Sequence, residues 1–184
     1  FDQATAADSS RRCGNRCVFC FIDQLPKSLR ETLYVKDDDF RLSLAIGNYI
    51  TLTNLGEADV RRIIERKFSP LYISVHAADP EVRRRMMGNP RAGEAMELIG
   101  RFASHGIQMH CQIVLCPGIN DGKVLEDTLE KLHSYFPRVK SVAVVPVGLT
   151  KHRQGLPELG PVGREEALSA IEICCRYPGF CYCS

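Results

Sequence analysis

Three cysteines fall within one short stretch, Cys13-Gly14-Asn15-Arg16-Cys17-Val18-Phe19-Cys20. Thiolates this close together can bind three corners of one cubane, because iron–sulfur clusters are held by short cysteine runs of this kind. A ferredoxin-type run would supply a fourth cysteine nearby, but the next one here is Cys111. One iron is then left without a protein ligand, and an open metal position is what catalysis needs. Two alternatives stay open at this level. One is a three-cysteine zinc site completed by a histidine, although zinc would want a second Cys or His pair at matching spacing. The other is a set of unligated buried thiols.

Other residues carry weaker signals. His76 and His110 are candidates for proton donors or substrate ligands, with hydrogen-bonded core histidines as the alternative. Cys174, Cys175, Cys181 and Cys183 could hold an auxiliary cluster, but the terminal Cys-x-Cys is poor spacing for one. Cys111 and Cys116 read as small apolar residues. Asp37-Asp38-Asp39 reads as a solvated loop that, with Lys36 and Arg41, could order the region over the cluster. Arg83-Arg84-Arg85 reads as a solvated helix face.

These groups need a frame to hold them. The chain has 184 residues, 45% hydrophobic and 25% charged, with 14 Gly and 10 Pro. At roughly 150 residues per domain, one domain spanning 1–184 is expected. That composition fits a folded soluble protein rather than a disordered or collagenous one. Lys and Arg number 24 against 22 Asp and Glu, a net charge of +2, which supplies no electrostatic case for nucleic acid or an anionic membrane. No apolar run approaches the ~18 residues of a membrane span. Nine cysteines, an odd count, without a signal peptide point to a reduced, cytoplasmic chain with metal-bound thiols. The start at Phe1-Asp2-Gln3 without Met leads us to expect a piece of a longer protein.

The periodicity alternates between two and 3.6 residues. Strands are predicted at 47–53, 70–76, 107–115 and 140–147, with one more ending near Cys13. Helices are predicted over 57–68, from Asp79-Pro80 onward, over 91–105, over 122–135 with Asn120 or Asp121 as cap, and over 163–176. Strands alternating with helices imply a parallel sheet. A β/α barrel unit averages about 31 residues, so five or six units fit and eight do not. Three strands carry one polar stripe each: Tyr49, Thr51 and Thr53; Tyr72, Ser74 and His76; Gln108, His110 and Gln112. Strands buried on both faces would be nearly all apolar, so these stripes are expected to line a common interior. Half-solvated antiparallel strands are the alternative, and the intervening helices argue against them.

The Cys-x3-Cys-x2-Cys run, with an aromatic residue before its last cysteine, resembles the signature of the radical S-adenosylmethionine superfamily. Longer stretches, including 17–26, 36–43, 47–54, 109–121 and 144–150, resemble one bacterial branch of it, which carries an N-terminal PDZ-like domain and a C-terminal domain of unknown function. The resemblance implies an α/β fold, a partial (β/α)6 TIM-like barrel with parallel strands. It implies that Cys13, Cys17 and Cys20 ligate a 4Fe–4S cluster whose fourth iron is chelated by S-adenosyl-L-methionine, and that Phe19 lies near the adenine. The place that usually holds the methionyl amino group is taken here by Thr51, Thr53 and Asn54 instead of a Gly-Gly-Glu sequence. Ser74 and Gln112 are further candidate contacts, Gln112 to the ribose.

The activity so implied is reductive cleavage of S-adenosyl-L-methionine to a 5′-deoxyadenosyl radical, which abstracts hydrogen from a substrate. An electron donor such as flavodoxin or ferredoxin would serve it. A non-catalytic iron–sulfur carrier, or an inactive truncated relative, is the competing reading. The tail, 177–184, looks short for a further strand and helix. The apolar strand at 142–145 is therefore expected to form an uncovered edge, a feature that promotes association, unless the tail or another domain pairs with it.

Overall fold

A computed structural model describes residues 11–183. The strand anticipated before Cys13 lies outside the described residues, save that Arg12 forms an isolated antiparallel bridge to Asp37. Four parallel strands form one sheet: β1 (Leu71–Ser74), β2 (Met109–Leu115), β3 (Val139–Pro146) and β4 (Cys181–Cys183), side by side in chain order. Among the described residues six α-helices accompany them: α1 (Phe40–Ile46), α2 (Glu57–Glu65), α3 (Pro80–Met87), α4 (Ala95–Ser104), α5 (Gly122–His133) and α6 (Arg164–Cys175). The α/β class and the parallel sheet are as anticipated, and the described residues form an open partial barrel rather than a closed one. Among them no helix is long and apolar enough to cross a membrane.

Local chemistry fixes the element ends. Asp79 accepts a hydrogen bond from Val82 N–H at 2.8 Å, and Pro80 opens α3, where a missing N–H costs nothing. Gly88 ends α3 at φ +58°, and a Cβ there would lie 2.9 Å from the carbonyl oxygen of Arg16. Helix α5 starts after Asp121, which makes no side-chain cap. Asn120 instead accepts from Cys116 N–H.

The alternation read from the strands sets their two faces. Leu71 and Ile73 of β1, and Met109, Cys111, Ile113 and Leu115 of β2, are buried in the main core. The opposite face carries Tyr72 beside His110 and Ser74 beside Gln112, all half-buried. The polar stripes therefore share one concave side, and the apolar stripes pack with the helices.

Three expectations need correction. Residues 47–53 do not form a strand: only Ile50 bridges, in parallel, to Ile73. The ladder stops because Asp38 takes the Thr51 N–H at 2.7 Å and Leu52 turns to φ +64°. The edge of β3 is not open, since the tail pairs with it as β4, with Val142 opposite Cys181 and Val144 opposite Cys183. Asp38 and Asp39 are each only 1% exposed, so the acidic run is no solvated loop, although Asp37 is exposed.

Asp39 caps α1 through Arg41 N–H and also accepts from Arg11 N–H at 3.1 Å and Arg41 Nε at 2.9 Å. Burial pushes its carboxyl up, but the bonds from Arg41 and Arg11 outweigh it and hold the group down at about 2, against an ordinary 3.8. A depressed carboxyl stabilises the fold above the unfolded value and loses that contribution as the pH falls through the folded one. At 1.36 kcal/mol per unit, the contribution is about 2 kcal/mol. We expect Asp39→Asn to unfold at lower denaturant at pH 7 and to show a flatter loss of stability between pH 5 and pH 2 than the parent. Parallel acid profiles for the two proteins would contradict this assignment.

Candidate functional site

The cysteine loop is seated on the C-terminal end of α3. Arg16 N–H and Val18 N–H donate to the carbonyls of Met87 and Met86, both at 2.8 Å, and Cys13 N–H donates to Lys36 O at 2.9 Å. Gln24, fully buried, reaches from the far end of the loop. Its Nε2 lies within 3.4 Å of the carbonyls of Phe19, Cys20 and Gly148, and its Oε1 accepts from Thr150 N–H. The loop is thereby tied both to α3 and to the segment that follows β3.

A cavity of about 310 Å³ opens toward the C-terminal side of the sheet, lined by Cys17, Phe19 and Cys20 from the loop, by Thr51 just after the Ile50 bridge, by Ser74 and His76 at and just past the end of β1, and by Gln112 of β2. Seven of the candidate residues thus come together at one mouth. Cys13 faces a neighbouring cavity of about 520 Å³ with Arg12, Tyr34 and Lys36, and its Sγ accepts from Asn15 Nδ2 at 3.2 Å. Thr53 and Asn54 do not line the 310 Å³ cavity. Thr53 donates to Asn15 Oδ1 at 3.0 Å and Asn54 to the Asp38 carbonyl at 2.7 Å, so both support the wall from behind. His110 lies below the cavity, 2.7 Å from Ser141 Oγ and stacked on Tyr72.

His76 is held in one state. Burial first, and the Arg83 charge second, push its imidazolium down to about 3, so the ring is neutral. Its Nδ1 lies 3.2 Å from Val114 N–H. An amide N–H can only donate, which puts the ring proton on Nε2. The ring lies 4.5 Å from that of Phe19. At neutral pH His76 offers a hydrogen bond rather than an acidic proton.

Residues that sequence reasoning passed over build the wall. Arg83 is 1% exposed, not part of a solvated helix face. It donates to Val75 O at 2.7 Å, to Thr51 O and Ser74 O at 2.8 Å, and to Ala92 O. Asp38 accepts from both the N–H and the hydroxyl of Thr51. Asn15 joins Cys13, Thr51, Thr53 and Asn89. Asn120 donates to His76 O at 2.8 Å and to Val114 O at 2.9 Å, which locks the ends of β1 and β2 together. An Asn beside Pro-Gly was visible in the sequence, but as a helix cap. Nothing in the Arg83 triplet marks which arginine turns inward.

Three thiols in one short loop are the donor type that iron–sulfur clusters take. Among the described residues, no three His, Cys, Asp or Glu side chains gather tightly enough for one metal ion, whereas cubane ligands sit on separate irons. Burial, then the neighbouring Cys13 and Cys20, push the Cys17 thiol up to about 12, while Arg83 and Lys36 pull it down. Free thiolates that oppose one another in this way are relieved when a cationic core binds them.

Residues 1–142 match the radical SAM-like domain, and the chain belongs to that family. Its fold is similar to a radical SAM methyltransferase from Sphaerobacter thermophilus, at 19% identity and a TM-score of 0.51 over 68% of this chain and 37% of that one. It is similar to a domain of pyruvate-formate lyase-activating enzyme from Bacteroides vulgatus, at 20% identity and a TM-score of 0.55 over 73% and 77% of the two chains. It also resembles SuiB of Streptococcus suis, at 10% identity and a TM-score of 0.55 over 74% and 31%. The match thus spans about a third of the length of the first and third of these. No curated protein matches the chain.

The buried network makes a checkable demand. Thr53 is 4% exposed, and its hydroxyl also lies 2.8 Å from Thr51 Oγ1. Thr53→Val keeps the shape and removes both bonds, which should cost roughly 1–3 kcal/mol. Urea unfolding of the variant is expected to show that loss, and unchanged stability would place Thr53 outside the network.

Proposed function

We propose that the chain is a radical S-adenosylmethionine enzyme acting on a carbon centre of its substrate. One observation carries the reading: in a chain of the radical SAM-like family, two grouped cysteines, an aromatic ring and the polar side chains of Thr51, Ser74, His76 and Gln112 share one cavity. Ligands of parallel β/α folds bind at that end of the strands. Cys13, Cys17 and Cys20 would hold a 4Fe–4S cluster. When bound, that cluster and S-adenosyl-L-methionine on its open iron supply one-electron cleavage of a sulfonium C–S bond and, from it, hydrogen abstraction.

The chain's own residues bind, orient and exclude water. Phe19, packed on His76, presents a flat apolar surface to the adenine. Gln112 supplies a side-chain amide to the ribose, and Ser74 and Thr51 add hydroxyls beside it. Thr53 and Asn54 act on the cofactor through Thr51 and Asp38 rather than by contact. His76 donates from Nε2, and His110, lower on the same stripe, would meet the substrate rather than the cofactor. A flavodoxin or ferredoxin in the cytoplasm is the proposed electron donor. The segments quoted above support membership of the branch with PDZ-like and C-terminal domains.

Anaerobically reconstituted protein is expected to be brown, to hold about four irons and to form 5′-deoxyadenosine when reduced with S-adenosyl-L-methionine. Cys17→Ala should lose most of the iron, since two thiolates rarely hold a cubane. A parent that binds iron but yields no 5′-deoxyadenosine, with an electron paramagnetic resonance spectrum indifferent to S-adenosyl-L-methionine, would point to a carrier instead.

Gln112→Leu removes a polar group from the cavity at nearly constant volume. It should weaken S-adenosyl-L-methionine binding roughly twofold to tenfold, the worth of a hydrogen bond of about 0.5–1.5 kcal/mol, and leave the iron in place. Equal affinities in titration calorimetry would take Gln112 out of the cofactor site.

A further inference from the structure

A guanidinium as buried as Arg83 costs several kcal/mol unless something compensates its charge. Among the described residues its hydrogen bonds all go to carbonyl oxygens, those of Thr51, Ser74, Val75 and Ala92, and none to a carboxylate. Thr51 and Ser74 line the cavity that Cys17 and Cys20 face, so the cation sits immediately behind the wall. The same helix seats the cysteine loop through Met86 and Met87. Asp38 is joined to the N–H and hydroxyl of the same Thr51, and its charge acts on Arg83.

We propose that Arg83 is a positioning residue whose fixed charge raises the reduction potential of the cluster held by Cys13, Cys17 and Cys20, with Asp38 setting a counter-field. The inference rests on the function proposed above. One-electron reduction adds a negative charge to a group already carrying three thiolates. A fixed cation in a low-dielectric wall stabilises the reduced form more than the oxidised one, and a fixed anion does the reverse. The groups that feel Arg83 mark the reach of its field: it pulls the Cys17 thiol and the Asp38 carboxyl down against burial and helps keep His76 neutral.

The test is a redox titration of the anaerobically reconstituted full chain, followed by electron paramagnetic resonance, with iron content measured alongside. At an effective dielectric of about 20, a unit charge behind a wall changes an equilibrium by about tenfold, an interaction of about 1.4 kcal/mol. Arg83→Gln should therefore lower the midpoint potential by roughly 59 mV, the one-electron equivalent of tenfold, at unchanged iron per protein. Arg83→Lys should keep the parent value. Asp38→Asn should move the potential upward, and it decides the matter if the Arg83→Gln protein does not fold. A cluster whose potential is the same in parent and Arg83→Gln, or one that does not rise in Asp38→Asn, overturns the inference and leaves the proposed function standing. A parent that takes up no cluster overturns both.

Discussion

Thr51 is gripped by two buried opposite charges, and the site depends on that grip. Asp38 holds its N–H and hydroxyl, while Arg83 holds its carbonyl. Neither charge could be buried alone at tolerable cost. Each is made tolerable by the backbone dipoles it collects, and those dipoles belong to the chain segments that must meet at the cavity. Arg83 draws Thr51, Ser74 and Val75 to one point, which replaces the strand pairing that residues 47–53 lack. Asp38 in turn brings the Thr51 hydroxyl within reach of Asn15, and through Asn15 of Cys13. The position of the first cysteine is thus linked to the ends of strands far along the chain.

What the sequence makes legible and what it hides divide on physical lines. Helices α2, α3, α5 and α6 and the strands β1, β2 and β3 could be read within a few residues, because their apolar positions repeat at the period of the element. The cysteine run was legible because three thiols at that spacing have few bland uses. Residues 47–53 have the composition of a strand, yet the backbone donor a ladder needs is taken by Asp38, and composition carries no record of that competition. The tail strand Cys181–Cys183 is too short to show a period. It forms because Val142 N–H donates to Phe180 O and three residues then find an unpaired edge. Arg83 is hidden for the opposite reason. Its two arginine neighbours make it look like a solvated face, and only the burial of that side of α3 singles it out.

The candidate residues sort by distance from the cavity in a way that residue type does not predict. Thr51 and Thr53 alternate onto one side, but the turn at Leu52 sends Thr53 behind the wall. His76 and His110 share the polar stripe, yet one ends at the mouth and the other packs on Tyr72 one layer below. A stripe read from alternation gives the face and not the depth. Depth is set by where each strand ends, and here Asn120 sets it by fastening the carbonyls of His76 and Val114 to the turn after β2.

The cavity wall sets a few polar side chains among apolar ones and carries little titratable chemistry. Thr51, Ser74 and Gln112 are neutral, and His76 stays neutral down to about pH 3, while Asp38 and Arg83 stand behind the surface. Apart from the thiols, no lining side chain is a ready acid, base or nucleophile at neutral pH. Such a wall can orient a bound molecule and shield it from water, but it has no means of its own to break a strong bond. Under the proposed function, the bond broken there would draw its reactivity from a group that the thiols hold. The buried charges would act on that group only through their field, because neither Asp38 nor Arg83 lines the cavity to donate or accept a proton.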